Sequence, residues 1–377
     1  MHSHPGLNPT QHAHSNPPRI NLALQGGGSH GAFTWGVLDT LLDDGRVEFE
    51  GISGTSAGAM NAVAMAHGFA EAEGQSALAM RESARISLAA FWEGIVEMGA
   101  VTASITQAQR APFDALFGGF GGLTGDQSPV KIMGDAMTNF WSQTVSPYQS
   151  NPLDINPLRS FLEGLIDFDR VAAYQALKVF VVATTVSTGK AEIFCGKRLT
   201  AKAVMASACL PMVFRAVEID GEHYWDGGYA GNPAIHPLIY RCDSRDVVLV
   251  QINPIKRDKL PTTAAEIMDR VNEITFNAAL MAEMRAIDFV KRLLVEGKLD
   301  PARYKNVLMH RIDGGEILGG FHASTKAATD AKLIHTLRDL GKDCAKQWLA
   351  AKFPSLGVAS TVDIGRDYLD AMRVPGQ

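Results

Sequence analysis

Residues 19–58 read RINLALQGGGSHGAFTWGVLDTLLDDGRVEFEGISGTSAG, and this stretch decides the fold. Ile20, Leu22 and Leu24 sit in a short apolar run that ends at Gln25, the pattern of a buried strand. Gly26-Gly27-Gly28-Ser29-His30-Gly31 follows as a loop. Ala32, Trp35, Leu38, Leu41 and Leu42 then recur at helical spacing and stop near Gly45. Val47–Ile52 reads as a second strand and Ser53-Gly54-Thr55-Ser56-Ala57-Gly58 as the turn after it. Ala57–His67 reads as an Ala- and Met-rich helix ended by Gly68. Strand, glycine turn and helix thus occur twice in succession. Such alternation predicts an α/β fold, with a mainly parallel central sheet and helices on both faces.

Further along, residues 76–98 are helical by pattern. Residues 99–150 combine Phe113, Phe117, Phe120, Met133, Met137, Phe140 and Trp141 with a Gly-Gly-Phe-Gly-Gly stretch. That composition suits a helical insertion, either packed on the core or acting as a lid. Val179–Val186 is expected as a strand, with Ala191–Phe194 as its hairpin partner. Leu199–Cys209 reads as a small-residue helix, and Val217–Ile219 with His223–Trp225 as a hairpin across Asp220-Gly221. Asp246–Ile252 and Val307–Ile312 are further strands, and Ala264–Val295 is a long amphipathic helix. The expected organisation is a flexible tail at 1–18, a main domain at 19–260, and a mostly helical C-terminal extension at 261–377 packed on the core.

With 377 residues, 46% of them hydrophobic and 20% charged, the chain can bury a large core and is no disordered polymer. Its net charge of −5 offers no basic excess for nucleic acid. Cys195, Cys209, Cys242 and Cys344 lie far apart, which argues against a zinc site or a disulfide framework and suggests a reducing compartment. His2, His4, His12 and His14 lie in a tail that lacks the fixed geometry of a selective metal site. No apolar run reaches the roughly 18 residues of a membrane helix. The best candidate, Ala89–Ile105, carries Glu93 and Glu97. The N-terminus has no apolar core of a secretory signal, so the expected location is cytoplasmic.

Three segments carry chemistry. Gly54-Thr55-Ser56-Ala57-Gly58 is a G-x-S-x-G pentapeptide between a strand and a helix, where a sharp turn lifts the serine above the sheet edge. The following helix aims its N-terminal dipole at that serine. Gly26, Gly28 and Gly31 also satisfy G-x-G-x-x-G, the dinucleotide fingerprint. That motif wants an acid at the tip of the second strand, yet Glu48 and Glu50 lie at its start and serine and threonine at its tip. The preferred use of the glycines is therefore an oxyanion hole of bare N–H groups. Asp226-Gly227-Gly228 taken alone is an ordinary turn.

In their order and spacing the three segments resemble the patatin-like phospholipase family. Gly26-Gly27-Gly28-x-x-Gly31, Gly54-Thr55-Ser56-Ala57-Gly58 and Asp226-Gly227-Gly228 carry the resemblance, supported by Ala206–Phe214 and Asn232-Pro233. It covers about residues 19–252 and implies a three-layer sandwich that hydrolyses acyl esters of lipids without metal or other cofactor. It also implies Ser56 as nucleophile, Asp226 as general base, and Gly26, Gly27 and Gly28 as oxyanion donors, with Gly31, Gly54, Gly58, Gly227 and Gly228 as supports. The family usually carries Arg or Lys where this chain has His30, and often an acid where it has Gln25. His30 is then a modulator of the loop, only partly charged near neutral pH, and neutral acyl esters are the expected substrates.

Two alternatives stand beside this reading: a nucleotide-binding protein using Gly26–Gly31, and a non-catalytic lipid-binding relative. A full triad would need His310, His322 or His335, which are read as surface or loop residues, and His223 and His236 are read as structural. The expected partners are a lipid or other acyl-ester substrate and a transiently touched membrane or storage-granule surface, with no nucleic acid.

Overall fold

The computed structural model describes residues 17–117, 146–150, 156–321, 325–326 and 328–369. The tail histidines, residues 118–145 of the expected insertion, and His322 lie outside these.

β1 (Arg19–Leu24) leads through the glycine loop into α1 (Gly31–Asp44), then β2 (Glu48–Thr55) and α2 (Ala57–Glu71). α3 (Ala77–Phe117), α4 (Pro157–Leu165) and α5 (Phe168–Ala173) precede β3 (Lys178–Thr185) and β4 (Ala191–Phe194). α6 (Ala201–Ser207), β5 (Val217–Ile219), β6 (Glu222–Asp226), α7 (His236–Arg241) and β7 (Asp246–Gln251) complete the next part. α8 (Ala264–Val295), β8 (Leu308–Asp313), α9 (Ala331–Lys352) and α10 (Ile364–Asp367) follow.

The sheet runs β5-β6-β3-β2-β1-β7-β8, and β4 also pairs with β3. β3, β2, β1, β7 and β8 are mutually parallel, while β4 and β6 are antiparallel to β3 and β5 is antiparallel to β6. Period-2 alternation sorts the strand side chains onto two faces. Leu22, Leu24, Val181, Val248 and Val250 enter one core with α1, α2 and α3. Ala23, Phe180, Val247, Leu249 and Met309 enter a second core with Leu280, Met284 and Ile287 of α8. Helices therefore cover both faces, as the alternation of elements predicts.

α1 is buried almost all round because α9 lies on its outer side. The two helices cross at reciprocal glycines: a Cβ on Gly36 would lie 1.8 Å from the Arg338 carbonyl oxygen, and one on Gly341 2.0 Å from that of Phe33. Full burial of Phe33, Leu38 and Leu41 contributes about 1.5–3 kcal/mol each. The C-terminal part is helical as expected, and it also extends the sheet through β8.

Three boundaries differ from the sequence reading. β2 continues past Ile52 to Thr55 because its polar tip is satisfied: Ser53 Oγ donates to the Ala234 carbonyl at 2.5 Å and Thr55 Oγ1 to that of Gly231 at 2.7 Å. Gly68 does not end α2, which runs to Glu71; it marks a helix crossing, where a Cβ would lie 2.4 Å from Ala84 Cα of α3. α3 continues beyond residue 98 to Phe117, with Gly99 packed against Thr329 instead of breaking the helix. Among the described residues, no helix is long and apolar enough to cross a membrane.

Candidate active site

β2 ends beside β1, and β7 ends on the other side of β1. Three C-terminal strand ends thus meet where the strand order reverses, the place at which open α/β sheets form crevices. Ser56 stands at the β2 tip with φ 54° and ψ −121°. A non-glycine residue held there carries about 1–3 kcal/mol of strain, so its surroundings must hold it. They do so through two bonds: the Ser56 N–H donates to Ser207 Oγ at 2.8 Å, and its carbonyl accepts from the Met60 N–H at 3.1 Å. α2 begins at the next residue, so its unpaired first-turn N–H groups lie at the same tip.

The glycine loop touches this tip. A Cβ on Gly26 would lie 2.6 Å from the Thr55 carbonyl oxygen and 2.8 Å from Ser56 Cβ, so only glycine permits the approach. Gly26 is pinned through both backbone groups: its N–H donates to Asn232 Oδ1 at 2.6 Å, and its carbonyl accepts from Asn253 Nδ2 at 2.7 Å. The N–H groups of Gly27 and Gly28 have no acceptor among the described residues. Buried Gln25 anchors the loop from behind. Its Oε1 accepts from the Ile252 and Asn253 N–H groups, both at 2.9 Å, and its Nε2 donates to the Asn232 carbonyl and to Asn277 Oδ1, both at 3.2 Å. An acid at this position would lack those donors.

Asp226 closes β6 opposite Ala183 of β3. Its N–H donates to the Cys209 carbonyl at 2.7 Å and its own carbonyl accepts from Thr184 Oγ1 at 2.8 Å, which leaves the carboxyl to face the site. That carboxyl accepts from the Gly228 N–H at 2.7 Å, and the Ser56 side chain beside it favours its charged form. Asp226 is only 2% exposed. Burial pushes its pKa up to about 7, outweighing the Gly228 N–H and the Ser56 side chain, which favour the charged form. Gly31, Gly54, Gly58 and Gly227 abut Ala57, the Gly58 backbone, the Leu24 and Gln25 carbonyls and the Val182 carbonyl, so they set how closely the segments approach.

Two histidine expectations change. His30 is 2% exposed, and its Nε2 pairs with Thr325 Oγ1 at 2.7 Å. Burial first, then the charges of Lys326 and Arg257, lower its pKa to about 4, so it is neutral at pH 7 and supplies no cation. His310 is no surface or loop residue: it is fully buried in β8. Its Nε2 meets Asp246 Oδ1 at 2.9 Å and its Nδ1 meets Thr361 Oγ1 at 3.1 Å, so both ring nitrogens are engaged away from Ser56. His335 pairs with Glu93 at 3.1 Å, His236 pairs with Glu283 at 3.1 Å, and His223 is exposed on β6. Asn253, Asn277 and Lys326 join the site without having been singled out from sequence. The only signal for the first was an asparagine at the tip of an apolar strand, ahead of Pro254.

The family model described as patatin-like phospholipase matches residues 22–239. Among solved structures, VipD from Legionella pneumophila shares 15% sequence identity. That alignment covers 94% of this chain and 73% of VipD, with a TM-score of 0.38. No curated protein matches the chain. The matched stretch holds the glycine loop, Ser56 and Asp226 on the geometry described above, and the chain belongs to the patatin-like phospholipase family.

Proposed function

We propose that the chain is a serine lipid acyl hydrolase working through a Ser56–Asp226 dyad. The observation that carries this reading is the Ser56 side chain set beside a buried carboxyl whose pKa lies near 7, with the glycine loop against the same strand tip. A free aspartate, with a pKa of about 3.9, is a feeble base for a hydroxyl proton, and raising that value toward the working pH strengthens it. Family membership supports lipid acyl hydrolysis in general.

In this mechanism the Ser56 Oγ attacks the ester carbonyl carbon as the Asp226 carboxylate takes its proton. The carbonyl π pair moves onto oxygen, where the N–H groups of Gly27 and Gly28 and the start of α2 stabilise it. Gly26 acts as the anchor of the loop, because its own N–H is committed to Asn232. Collapse expels the alkoxide, which leaves as alcohol with the proton from Asp226. Water, deprotonated by Asp226, then attacks the acyl-serine and releases the acid and Ser56. No histidine is required.

The test is hydrolysis of p-nitrophenyl esters of several acyl lengths and of phosphatidylcholine vesicles by wild type and by Ser56→Ala. The variant is expected to keep its circular dichroism and to lose at least ~10³-fold in kcat. Unchanged hydrolysis by the variant contradicts the mechanism.

A further inference from the structure

The family match stops at residue 239, yet the glycine loop is completed by residues beyond it. Asn253 is fully buried at the end of β7. Its Nδ2 donates to the Gly26 carbonyl at 2.7 Å, and its Oδ1 accepts from Lys326 Nζ at 2.8 Å. The Lys326 backbone lies on the loop as well: Gly28 has φ +58°, and a Cβ there would lie 2.1 Å from the Lys326 carbonyl oxygen. Beside it, Thr325 meets the His30 ring and Phe321 packs edge-on against it at 5.9 Å.

An asparagine amide presents an oxygen on one side and an NH2 on the other, and either face can point either way. A lysine ammonium only donates. Its presence at Oδ1 therefore dictates the amide orientation, and that orientation turns the donor toward Gly26. Charge points the same way. The groups gathered here are Lys326, Arg257 and Arg270 against Glu273 and Asp269, three cations facing two carboxylates. Glu273, 2% exposed, is held by Arg257 at 2.5 Å and Arg270 at 3.2 Å. A cationic group thus stands beside the loop although position 30 is a neutral histidine, which removes the reason for expecting neutral substrates.

We propose that Lys326 is a positioning residue for the oxyanion hole, acting through Asn253 to orient Gly26–Gly28 and standing in for the cation that position 30 lacks. The inference rests on the hydrolase reading above. By this account the C-terminal part holds the catalytic loop in its working geometry.

The experiment compares wild type, Lys326→Met, Lys326→Arg, Asn253→Asp and Ser56→Ala on p-nitrophenyl butyrate, well below the Tm of each. The bimolecular rate of fluorophosphonate labelling is read in parallel. Lys326→Met keeps the side-chain length and loses the donor. It is expected to lower kcat and the labelling rate about tenfold with KM within about twofold, as misaimed oxyanion donors should. Lys326→Arg, still a cationic donor, is expected to recover most of the loss. Asn253→Asp keeps a partner for Lys326 but no donor for Gly26, and carries the same test if Lys326→Met does not fold. Wild-type kcat in either neutralised or donor-less variant overturns the inference, as does a Lys326→Arg enzyme as impaired as Lys326→Met. An inactive Ser56→Ala beside a fully active Lys326→Met sinks only the inference. An active Ser56→Ala sinks the hydrolase reading and the inference with it.

Discussion

Replacing Asp226 by asparagine should make the protein more stable at alkaline pH while removing its activity. The folded carboxyl keeps its proton to about pH 7, whereas the unfolded one releases it near 3.8. Between these values the unfolded chain binds fewer protons than the native one. Wild-type stability from this group is therefore full below the unfolded value and falls as pH rises through the window up to about 7. Three pKa units at about 1.4 kcal/mol each set a ceiling of about 4 kcal/mol. Integrated from about pH 5 to about pH 8, the loss is about 2–3 kcal/mol. A side-chain amide does not titrate in this range, so Asp226→Asn should gain that amount on wild type across the interval, read by urea unfolding at both pH values. Wild-type kcat/KM should rise with pH on an apparent pKa near 7. An equal stability difference at the two pH values refutes the reasoning, because it would mean that Asp226 is ionised in the native state at both.

Two further substitutions probe the scaffold of the site. Ser207→Ala removes the acceptor of the Ser56 N–H, which should cost about 1–3 kcal/mol of stability in urea unfolding and lower kcat; unchanged values would show that Ser56 holds its φ without Ser207. Gly28→Ala combines a left-handed φ, worth about 1–2 kcal/mol for an L-residue, with a collision against the Lys326 carbonyl, and should destabilise by at least ~2 kcal/mol. Wild-type stability in that variant would mean that the Lys326 segment does not lie on the loop.

The fold was legible because its signals are local. Apolar runs of strand length, glycine turns and helical spacing recur from Ile20 onward, and the Asp220-Gly221 turn of the β5–β6 hairpin has positive φ at both residues, as such turns require. Glycines were legible as punctuation but not as contacts. Gly68 reads as a helix end and the helical pattern stops short of Gly99, yet these glycines allow α3 to approach α2 and Thr329, which depends on partners distant in sequence. The same limit applied to the site. Ser56 and Asp226 announced themselves by their flanking glycines. The polar groups that hold the loop, Asn253, Asn277 and Lys326, carry no local pattern and gain meaning only when the sheet brings β7, α8 and the C-terminal part to one edge. Charge was equally hidden: His30 reads as partly charged in sequence and is neutral once buried beside Lys326 and Arg257.

The most direct test is covalent capture of the nucleophile. A fluorophosphonate carrying an alkyl chain, incubated with the full chain near pH 8 and mapped by peptide mass spectrometry, should label one residue, Ser56, in step with loss of esterase activity. Labelling should slow as pH falls through about 7, where Asp226 takes up its proton. Modification at another residue, or full esterase activity in a protein quantitatively labelled at Ser56, would contradict the account.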